Sequence, residues 1–228
     1  MKCAAIVAAG GSGSRLNPEI PKQLLSLAGK PLFLWCLHVL AGVSRVQEIV
    51  VAVPPDRSAE FQRAAADLPD IRWTIGGARR QDSVRAALEA VSADVEMILV
   101  HDAARPLITQ QLVDLLIDTA AEHEAAIPVT PAAETLKEIA HGLVVRTLDR
   151  SRTFCAQTPQ AFRREILERT FRSLPQDQVW TDEASMLEAA GVPVAVVAGD
   201  KRNIKVTYPE DFQYAEYLLR SCSRNELL

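Results

Sequence analysis

The sequence contains few cysteines, and the ones that it has lie far apart. They are Cys3, Cys36, Cys155 and Cys222. No Cys-x-x-Cys pair is present, so the pattern indicates neither a zinc site nor a disulfide framework. We expect buried free thiols, as in proteins of the reducing cytoplasm.

Long apolar runs and a strong charge of one sign are missing as well. No apolar stretch reaches the roughly 18 residues of a membrane span, and the first residues form a strand-like run into glycines rather than a signal peptide. The formal net charge of −4 argues against a general nucleic-acid or membrane-surface binder. We therefore expect a cytoplasmic protein with no nucleic-acid or membrane partner, in which any phosphate site is a local basic pocket.

The loop "AAGGSGSRLNPEIPKQLL" after the first apolar run lacks the defining residues of two familiar phosphate-binding motifs. A P-loop has lysine directly after its last glycine, whereas Gly13 is followed by Ser14 and Arg15. The dinucleotide fingerprint Gly-x-Gly-x-x-Gly fits Gly11 and Gly13, but a leucine stands where the third glycine permits close helix–strand packing. The residues therefore argue against both motifs.

The same loop nevertheless has anion-binding chemistry. Glycines allow backbone N–H groups to approach a ligand closely, and consecutive N–H groups can surround phosphate oxygens. Arg15 and Lys22 add two positive charges nearby. A tight turn is the alternative that glycines alone leave open, and the two cations favour phosphate.

The apolar segments alternate between strand and helix in the first part of the chain. The predicted strands are Lys2–Ala8, "EIVVAVP", "IRWTIGG", "VEMILV" and "AAIPVTP". The predicted helices are "KPLFLWCLHVLAGV", "SAEFQRAAADL", "DSVRAALEAV" and "QLVDLLIDTAAEH". This order predicts an α/β fold with a mostly parallel sheet flanked by helices.

The pattern changes after Glu134. The segment "ETLKEIAHGLVVRTL" predicts a β-hairpin with its turn at His141 and Gly142, and "TFCAQTPQAF" predicts an extended return. Further helices are predicted at "RREILERTFRSL", "TDEASMLEAAG" and "YPEDFQYAEYLLRS", and strands at "PVAVVAG" and "NIKVT". We expect one domain over residues 1–228 with a projecting β-arm at about 134–158. Because two strands alone are marginal in water, the arm is expected to pack on a second copy of the chain.

Polar residues follow the strand in "MILVHDAARP". In parallel α/β sheets, ligands lie outside the carboxyl ends of the strands, so we expect Asp102 and Arg105 to share a crevice with Arg15 and Lys22. The alternative is that Asp102 caps a turn and pairs with Arg105. His101 fits a buried structural histidine as well as a catalytic one.

Two further segments add candidate ligands. In "GGARRQDSV", Gly76 and Gly77 would let the backbone contact a base edge and Ser83 would supply a hydroxyl, although a capped helix start explains the segment equally well. Lys205 lies on the predicted strand "NIKVT" and joins three other cations at possible pocket positions. That charge suits a substrate with several phosphates, with which Mg²⁺ is expected.

The ordered set of motifs resembles the 2-C-methyl-D-erythritol 4-phosphate cytidylyltransferases of the non-mevalonate isoprenoid pathway. The matching segments, which run nearly the whole chain, are "AAGGSGSRL…PKQLL", "GGARRQDSV", "VHDAARP", "ETLKE", "TLDRS…AQTPQAF", "TDEAS" and "NIKVTYPEDF". The resemblance implies a Rossmann-like nucleotidyltransferase fold that transfers CMP from CTP to the acceptor phosphate. The chain ends soon after the last predicted helix, so we expect no fused partner enzyme of the pathway.

The resemblance also implies roles for the matching positions. Arg15 and Lys22 match residues that stabilise charge on the α-phosphate in the transition state, and Arg150 and Lys205 match residues that position the acceptor. Other substrate contacts are expected at Asp102, Ala103, Arg105, Thr135 and Thr181. The cytidine pocket is expected at Ala9, Gly10, Gly11, Gly77, Ala78 and Ser83.

The cofactor and the assembly follow from the same resemblance. Mg²⁺ or another divalent cation is expected, with Asp102 approaching it directly or through water. Family members are homodimers whose arms cross, which implies that Thr135 and Arg150 serve the partner's active site.

Two alternative functions stay open. A cytidylyltransferase for another polyol phosphate, such as ribitol 5-phosphate, shares the fold and most of the motifs. A nucleotide-binding regulatory module without turnover is the second, although binding alone would not need Arg15, Lys22, Asp102 and Lys205 together.

Overall fold

A computed structural model describes residues 1–10, 20–68, 70–175 and 177–221. The strands are β1 (Cys3–Ala8), β2 (Ser26–Leu27), β3 (Lys30–Pro31), β4 (Val46–Val53), β5 (Ile71–Ile75), β6 (Met97–Asp102), β7 (Ala125–Pro131), β8 (Lys137–Ala140), β9 (Leu143–Thr147), β10 (Phe154–Ala156), β11 (Gln160–Arg163) and β12 (Ala195–Ala198). The helices are α1 (Leu32–Gly42), α2 (Ser58–Ala64), α3 (Arg80–Ala90), α4 (Gln110–His123), α5 (Arg164–Ser173), α6 (Glu183–Ala189) and α7 (Pro209–Ser221), and a 3₁₀ turn covers Lys22–Leu24.

The central sheet has eight strands, most of them parallel. Strand β1 pairs in parallel with β4 and β6, and β5 extends this group beyond β4. Strand β11 runs antiparallel between β6 and β7, β10 is antiparallel to β7, and β12 is parallel to β7. The predicted mostly parallel sheet is confirmed.

Helices cover both faces of this sheet. The residues of β1 are apolar throughout because both faces of the strand are buried. Ala5 packs in the cluster that includes α1 and α4, whereas Ile6 packs in the cluster that includes α3 and α5. Successive side chains of a strand point to opposite faces, so a strand buried on both faces lacks polar positions. The two cores hold the carboxyl ends of the parallel strands at one edge of the sheet.

The hairpin predicted in "ETLKEIAHGLVVRTL" is confirmed, whereas β10, within the bounds expected for the arm, pairs with β7 in the central sheet. Strands β8 and β9 form a separate two-stranded sheet in which every residue is exposed. His141 and Gly142 at the turn have φ angles of 52° and 78°, and a two-residue hairpin turn of type I′ needs positive φ at both positions. That the arm belongs to a single domain over residues 1–228 stays a prediction.

The strand predicted around Lys205 is wrong. Residues 203–207 have no regular secondary structure, and Val206 donates its N–H to the Ala104 carbonyl just beyond the end of β6, at 2.8 Å. Val206 is fully buried in a third cluster with Leu27 and Leu219. The apolar alternation of this segment therefore reflects loop packing rather than a strand.

The prediction of buried thiols holds only in part. Cys3 and Cys36 are buried and free, whereas Cys155 is free and exposed, because each residue of the short strand β10 is exposed. Cys222 lies outside the described residues. Over the described ranges, the helices are all too short or too polar to cross a membrane.

Candidate active site

The candidate site lies where three parallel strands end at the same edge of the sheet. Strand β1 leads to Gly10, β5 leads to Gly76, and β6 ends at Asp102. This is the edge at which open α/β sheets bind ligands.

Asp102 is the centre of a chain of ion pairs. Its Oδ1 accepts a hydrogen bond from Arg80 Nε at 2.8 Å, and its Oδ2 lies 2.7 Å from Lys205 Nζ. The Nη1 atom of Arg80 donates in turn to both oxygens of Glu183, each at 2.8 Å. The four charges alternate in sign from the exposed Lys205 to the fully buried Glu183.

The protonation states follow from these contacts. Burial alone raises the pKa of Asp102, but the charges of Arg80 and Lys205 and their hydrogen bonds outweigh it and hold that pKa well below its ordinary value. Burial lowers the pKa of Arg80, yet Glu183 and Asp102 raise it above its ordinary value. Asp102 and Arg80 are therefore both charged at neutral pH.

Arg105 does not form the ion pair with Asp102 that the turn alternative required. Its Nη1 donates to the Asn203 carbonyl at 2.8 Å and its Nη2 to the Ala156 carbonyl at 3.4 Å. Only its backbone N–H bonds to Asp102, donating to the carbonyl at 3.0 Å. Among the described residues nothing accepts from its buried Nε, and burial lowers its pKa.

Lys22 reaches the same region from the 3₁₀ turn. Its side chain is buried, and Nζ donates to the Val206 carbonyl at 2.7 Å. Lys22 therefore contacts the backbone of the residue next to Lys205. The crevice predicted for Asp102, Arg105, Arg15 and Lys22 stays a prediction, since Arg15 lies outside the described residues.

The glycines after β1 and β5 pack against Ser83. A Cβ on Gly76 would lie 2.8 Å from Ser83 Oγ, and one on Gly10 would lie 3.1 Å from it. The Gly77 N–H donates to the same hydroxyl at 3.1 Å. A side chain at Gly76 would require Ser83 to shift, and one at Gly10 would be tight, so the buried Ser83 hydroxyl lies close to both loops.

The capped helix start is present in addition. Helix α3 has Arg79 as its N-cap, and Asp82 accepts a hydrogen bond from the Arg79 N–H at 3.1 Å. Of the other predicted pocket residues in this region, Ala78 is exposed and Ala9 is buried with its N–H on the Ala52 carbonyl. Thus the segment "GGARRQDSV" contains both the loop after β5 and the capped start of α3.

Thr181 lies beside the ion-pair chain but is not the helix cap. Asp182 is the N-cap of α6, and its side chain and that of Ser185 complete a reciprocal capping box. Thr181 is exposed and donates its hydroxyl weakly to Ser185 Oγ at 3.4 Å. Its position, two residues before Glu183, leaves it available at the edge of the site.

The remaining predicted residues are not joined to this cluster. Ala103 is buried and donates its N–H to the Ala8 carbonyl at 3.2 Å, which ties the end of β6 to that of β1. Thr135 and Arg150 are exposed at the base of the arm, and within the described part of the chain neither bonds to a residue of the cluster. Gly11 and Arg15 lie outside the described residues.

The described side chains do not form a metal site by themselves. Both oxygens of Asp102 already accept hydrogen bonds from cations. In the four described ranges no group of three or more His, Cys, Asp or Glu side chains is placed to hold a metal ion. Each Asp102 oxygen still has a second lone pair, so these contacts do not decide between direct and water-mediated metal binding.

Sequence reasoning missed two members of the ion-pair chain. Arg80 lies in "GGARRQDSV", which fitted a base contact and a capped helix start equally well, and the structure makes it the first residue of α3. Glu183 lies in the first turn of α6, where an acid is ordinarily explained by the helix dipole. Its complete burial had no sequence signal.

The fold and the site define an α/β protein with a charged site at the carboxyl edge of a mostly parallel sheet, as in nucleotide-binding enzymes. The family model described as 2-C-methyl-D-erythritol 4-phosphate cytidylyltransferase matches residues 3–221. The chain therefore belongs to the 2-C-methyl-D-erythritol 4-phosphate cytidylyltransferase family.

Individual relatives agree with this assignment. The 2-C-methyl-D-erythritol 4-phosphate cytidylyltransferase of Frankia casuarinae is 44% identical over 225 residues, which cover 97% of this chain and 82% of the relative. That of Syntrophus aciditrophicus is 40% identical and covers 96% of each chain. The crystal structure of 4-diphosphocytidyl-2C-methyl-D-erythritol synthase from Anaerococcus prevotii aligns with a TM-score of 0.86 at 25% identity, over 96% of each chain.

Proposed function

We propose that this chain transfers CMP from CTP to 2-C-methyl-D-erythritol 4-phosphate in isoprenoid precursor biosynthesis. The products are 4-diphosphocytidyl-2-C-methyl-D-erythritol and pyrophosphate. The observation that carries the proposal is the family match over residues 3–221. The cations grouped around Asp102 support it, because the reaction brings two phosphate-bearing substrates together.

In the proposed reaction, a phosphate oxygen of the acceptor attacks the α-phosphorus of CTP in line. The new P–O bond forms as the bond from the α-phosphorus to the bridging oxygen breaks, and pyrophosphate leaves with the bonding electrons. The attacking phosphate is largely ionised near neutral pH, so the reaction needs no strong general base. The protein's task is to hold two anions in reacting geometry.

The described cations suit this task in different ways. Lys205 is anchored at Asp102 while 45% of its side chain stays exposed, so it can turn toward an incoming phosphate. Lys22 is buried against the Val206 carbonyl and offers a fixed charge. Preorganised donors of this kind stabilise charge on phosphoryl oxygens as it develops.

We propose Mg²⁺ as a cofactor that the substrate's triphosphate brings into the site. Mg²⁺ usually keeps several waters and binds substrate phosphates with one or two carboxylates. Asp102 contacts both Arg80 and Lys205 and would approach the ion directly or through water. Bound Mg²⁺ would neutralise charge on the phosphates.

We propose a homodimer joined through the β8–β9 arm. The arm exposes large apolar side chains, with Leu143 73% and Ile139 63% accessible. Thr135 and Arg150 lie at the base of this arm and would serve the partner's site. We further propose the cytoplasm as the compartment, because the buried, free Cys3 and Cys36 suit a reducing environment.

The test is pyrophosphate release with CTP and Mg²⁺ in three parallel reactions, with 2-C-methyl-D-erythritol 4-phosphate, with ribitol 5-phosphate and with no acceptor. Release only with the first acceptor is expected. Release only with ribitol 5-phosphate would keep the chemistry and replace the acceptor. Folded protein that binds CTP but releases no pyrophosphate in any reaction would indicate a nucleotide-binding module instead.

A further inference from the structure

A buried histidine lies beside the site, and the proposed reaction assigns it no role. The Nε2 atom of His101 is 3.0 Å from the Arg105 carbonyl oxygen, and its Nδ1 is 3.0 Å from Thr158 Oγ1. Because a carbonyl can only accept, Nε2 carries the proton and Nδ1 accepts from the hydroxyl. Burial lowers the pKa of His101 to about 4, which agrees with a neutral ring of one tautomer.

His101 is one member of a closed ring of hydrogen bonds. Thr158 donates to His101 Nδ1, His101 donates to the Arg105 carbonyl, and Arg105 Nη1 donates to the Asn203 carbonyl. Asn203 Nδ2 donates to the Thr158 carbonyl at 2.9 Å and closes the ring. We call these four residues the His101 ring.

The His101 ring also contacts Asp102, because the Asp102 N–H donates to Thr158 Oγ1 at 3.1 Å. His101 and Asn203 are fully buried and Thr158 is 4% accessible. Hydrogen bonds in such a dry environment are strong when complete, and a partner left unpaired is costly. The ring is therefore a rigid connection rather than a set of exchangeable surface contacts.

Three separate chain segments meet in the His101 ring. They are the end of β6, the loop between β10 and β11 that carries Thr158, and residues 203–207. Arg105 is itself a member, and Lys205 follows Asn203 by two positions. The ring therefore includes Arg105 directly and anchors the segment that carries Lys205 through Asn203.

We propose that the His101 ring positions Arg105 and Lys205 for the acceptor's phosphate, with His101, Thr158 and Asn203 as positioning residues rather than acids or bases. This inference rests on the proposed function. It gives His101 a defined role without proton transfer, and it assigns a role to Thr158 and Asn203, which the sequence did not single out.

The test compares two substitutions at one position. Thr158→Val keeps the shape of the side chain and removes the hydroxyl that serves both Asp102 and His101, whereas Thr158→Ser keeps the hydroxyl. The matched control is Thr170→Val in α5, a buried threonine whose hydroxyl has no hydrogen-bond partner among the described residues. Pyrophosphate release is measured with acceptor varied at saturating CTP, and with CTP varied at saturating acceptor.

Thr158→Val is expected to lower kcat/KM for the acceptor at least about tenfold, since it leaves two buried groups unpaired. The KM for CTP is expected to stay within about twofold, Thr158→Ser to restore most of the loss, and Thr170→Val to match the wild type. Wild-type acceptor kinetics in Thr158→Val would overturn the proposal. Equal losses of kcat/KM for the acceptor in Thr158→Val and Thr158→Ser would also overturn it. So would a loss of kcat/KM that is equally large for the acceptor and for CTP.

A second measurement separates this proposal from the proposed function and covers a Thr158→Val variant that fails to fold. The ¹⁵N NMR signals of the His101 imidazole in the wild-type protein are expected to show a neutral ring protonated at Nε2 from pH 6 to 8. An imidazole protonated at Nδ1, or one that titrates in this range, would contradict the hydrogen bonds of the His101 ring. Wild-type protein with this tautomer and no turnover would count against the proposed function, and the positioning role would fall with it.

Discussion

At the scale of single residues, the alternating charges of Lys205, Asp102, Arg80 and Glu183 connect the solvent-exposed side of the site to its buried side. Buried ion pairs are costly to break, because the remaining charge stays desolvated. Exposed ion pairs contribute little to stability. Substitutions at the two ends of this series of ion pairs are therefore expected to affect different properties. We expect an effect on turnover at Lys205 and an effect on stability at Glu183.

Lys205→Ala is expected to lower kcat/KM for the acceptor by about 100-fold or more, as is typical when one charge-stabilising donor is removed. The melting temperature is expected to change little, because 45% of the Lys205 side chain is exposed. Steady-state pyrophosphate release and thermal unfolding are the measurements. Lys201→Ala, an exposed lysine four residues earlier, is the control and should behave as the wild type.

Glu183→Gln is expected to lower the free energy of unfolding by about 3 kcal/mol, because it removes the buried charge that balances Arg80. Chemical denaturation at pH 7 measures the effect. The control is Glu188→Gln on the same helix, whose side chain is exposed. Equal stabilities of the two variants would show that the Glu183 charge is not needed to balance the buried charge of Arg80.

At the scale of elements, the arm differs from the rest of the structure. Within the described residues, strands β8 and β9 pair with each other and with no other strand, and all of their residues are exposed. An isolated two-stranded hairpin is marginally stable in water, and exposed apolar patches mark interaction sites. Both points favour burial of the arm against another copy of the chain.

The double substitution Leu143→Glu and Val145→Glu is expected to convert the proposed dimer into a monomer. The two residues are 73% and 57% exposed, and both lie on β9. Light scattering after size-exclusion chromatography at micromolar concentration measures the mass. Val179→Glu, which changes a 72% exposed valine outside the arm, should leave the mass unchanged; a monomeric wild type would contradict the proposed assembly.

At the scale of the whole molecule, two apolar cores enclose the sheet, and His101 is buried where β6 ends. A buried neutral histidine links the stability of the entire fold to pH. Its pKa is about 4 when folded and about 6.5 when unfolded, so the unfolded state binds more protons between these values. The stability that His101 contributes is complete above about pH 6.5 and is lost as the pH falls toward 4.

The decrease in the free energy of unfolding that is due to His101 is expected to reach about 3 kcal/mol below pH 4. Urea unfolding at pH 7, 6 and 5 measures its onset. A His101→Gln variant should be less stable at pH 7 but should lose less between pH 7 and pH 5 than the wild type. His141→Gln, at the exposed turn of the arm, should keep the wild-type slope; identical slopes in all three proteins would contradict the burial of a neutral His101.

The elements that the sequence predicted correctly are those with a local signal. The continuous apolar run of β1 and the turn at His141 and Gly142 each depend on residues adjacent in the chain. The strand predicted at Lys205 was wrong because Ile204 and Val206 alternate as in a strand, while Val206 bonds to the Ala104 carbonyl outside any ladder. A local pattern cannot distinguish a strand from an irregular loop in which the same alternate residues are buried.

The sequence by itself determined the α/β order, the arm and the family, because periodicity, turn residues and ordered motifs can be read along the chain. The motifs also singled out Lys22, Asp102 and Lys205 as candidate site residues. Only the tertiary structure decided which partners these residues have. Arg80 and Glu183 are 103 positions apart, and Arg105 and Asn203 are 98 apart, so their contacts arise from how the sheet and loops bring distant segments together, and burial then makes those contacts strong.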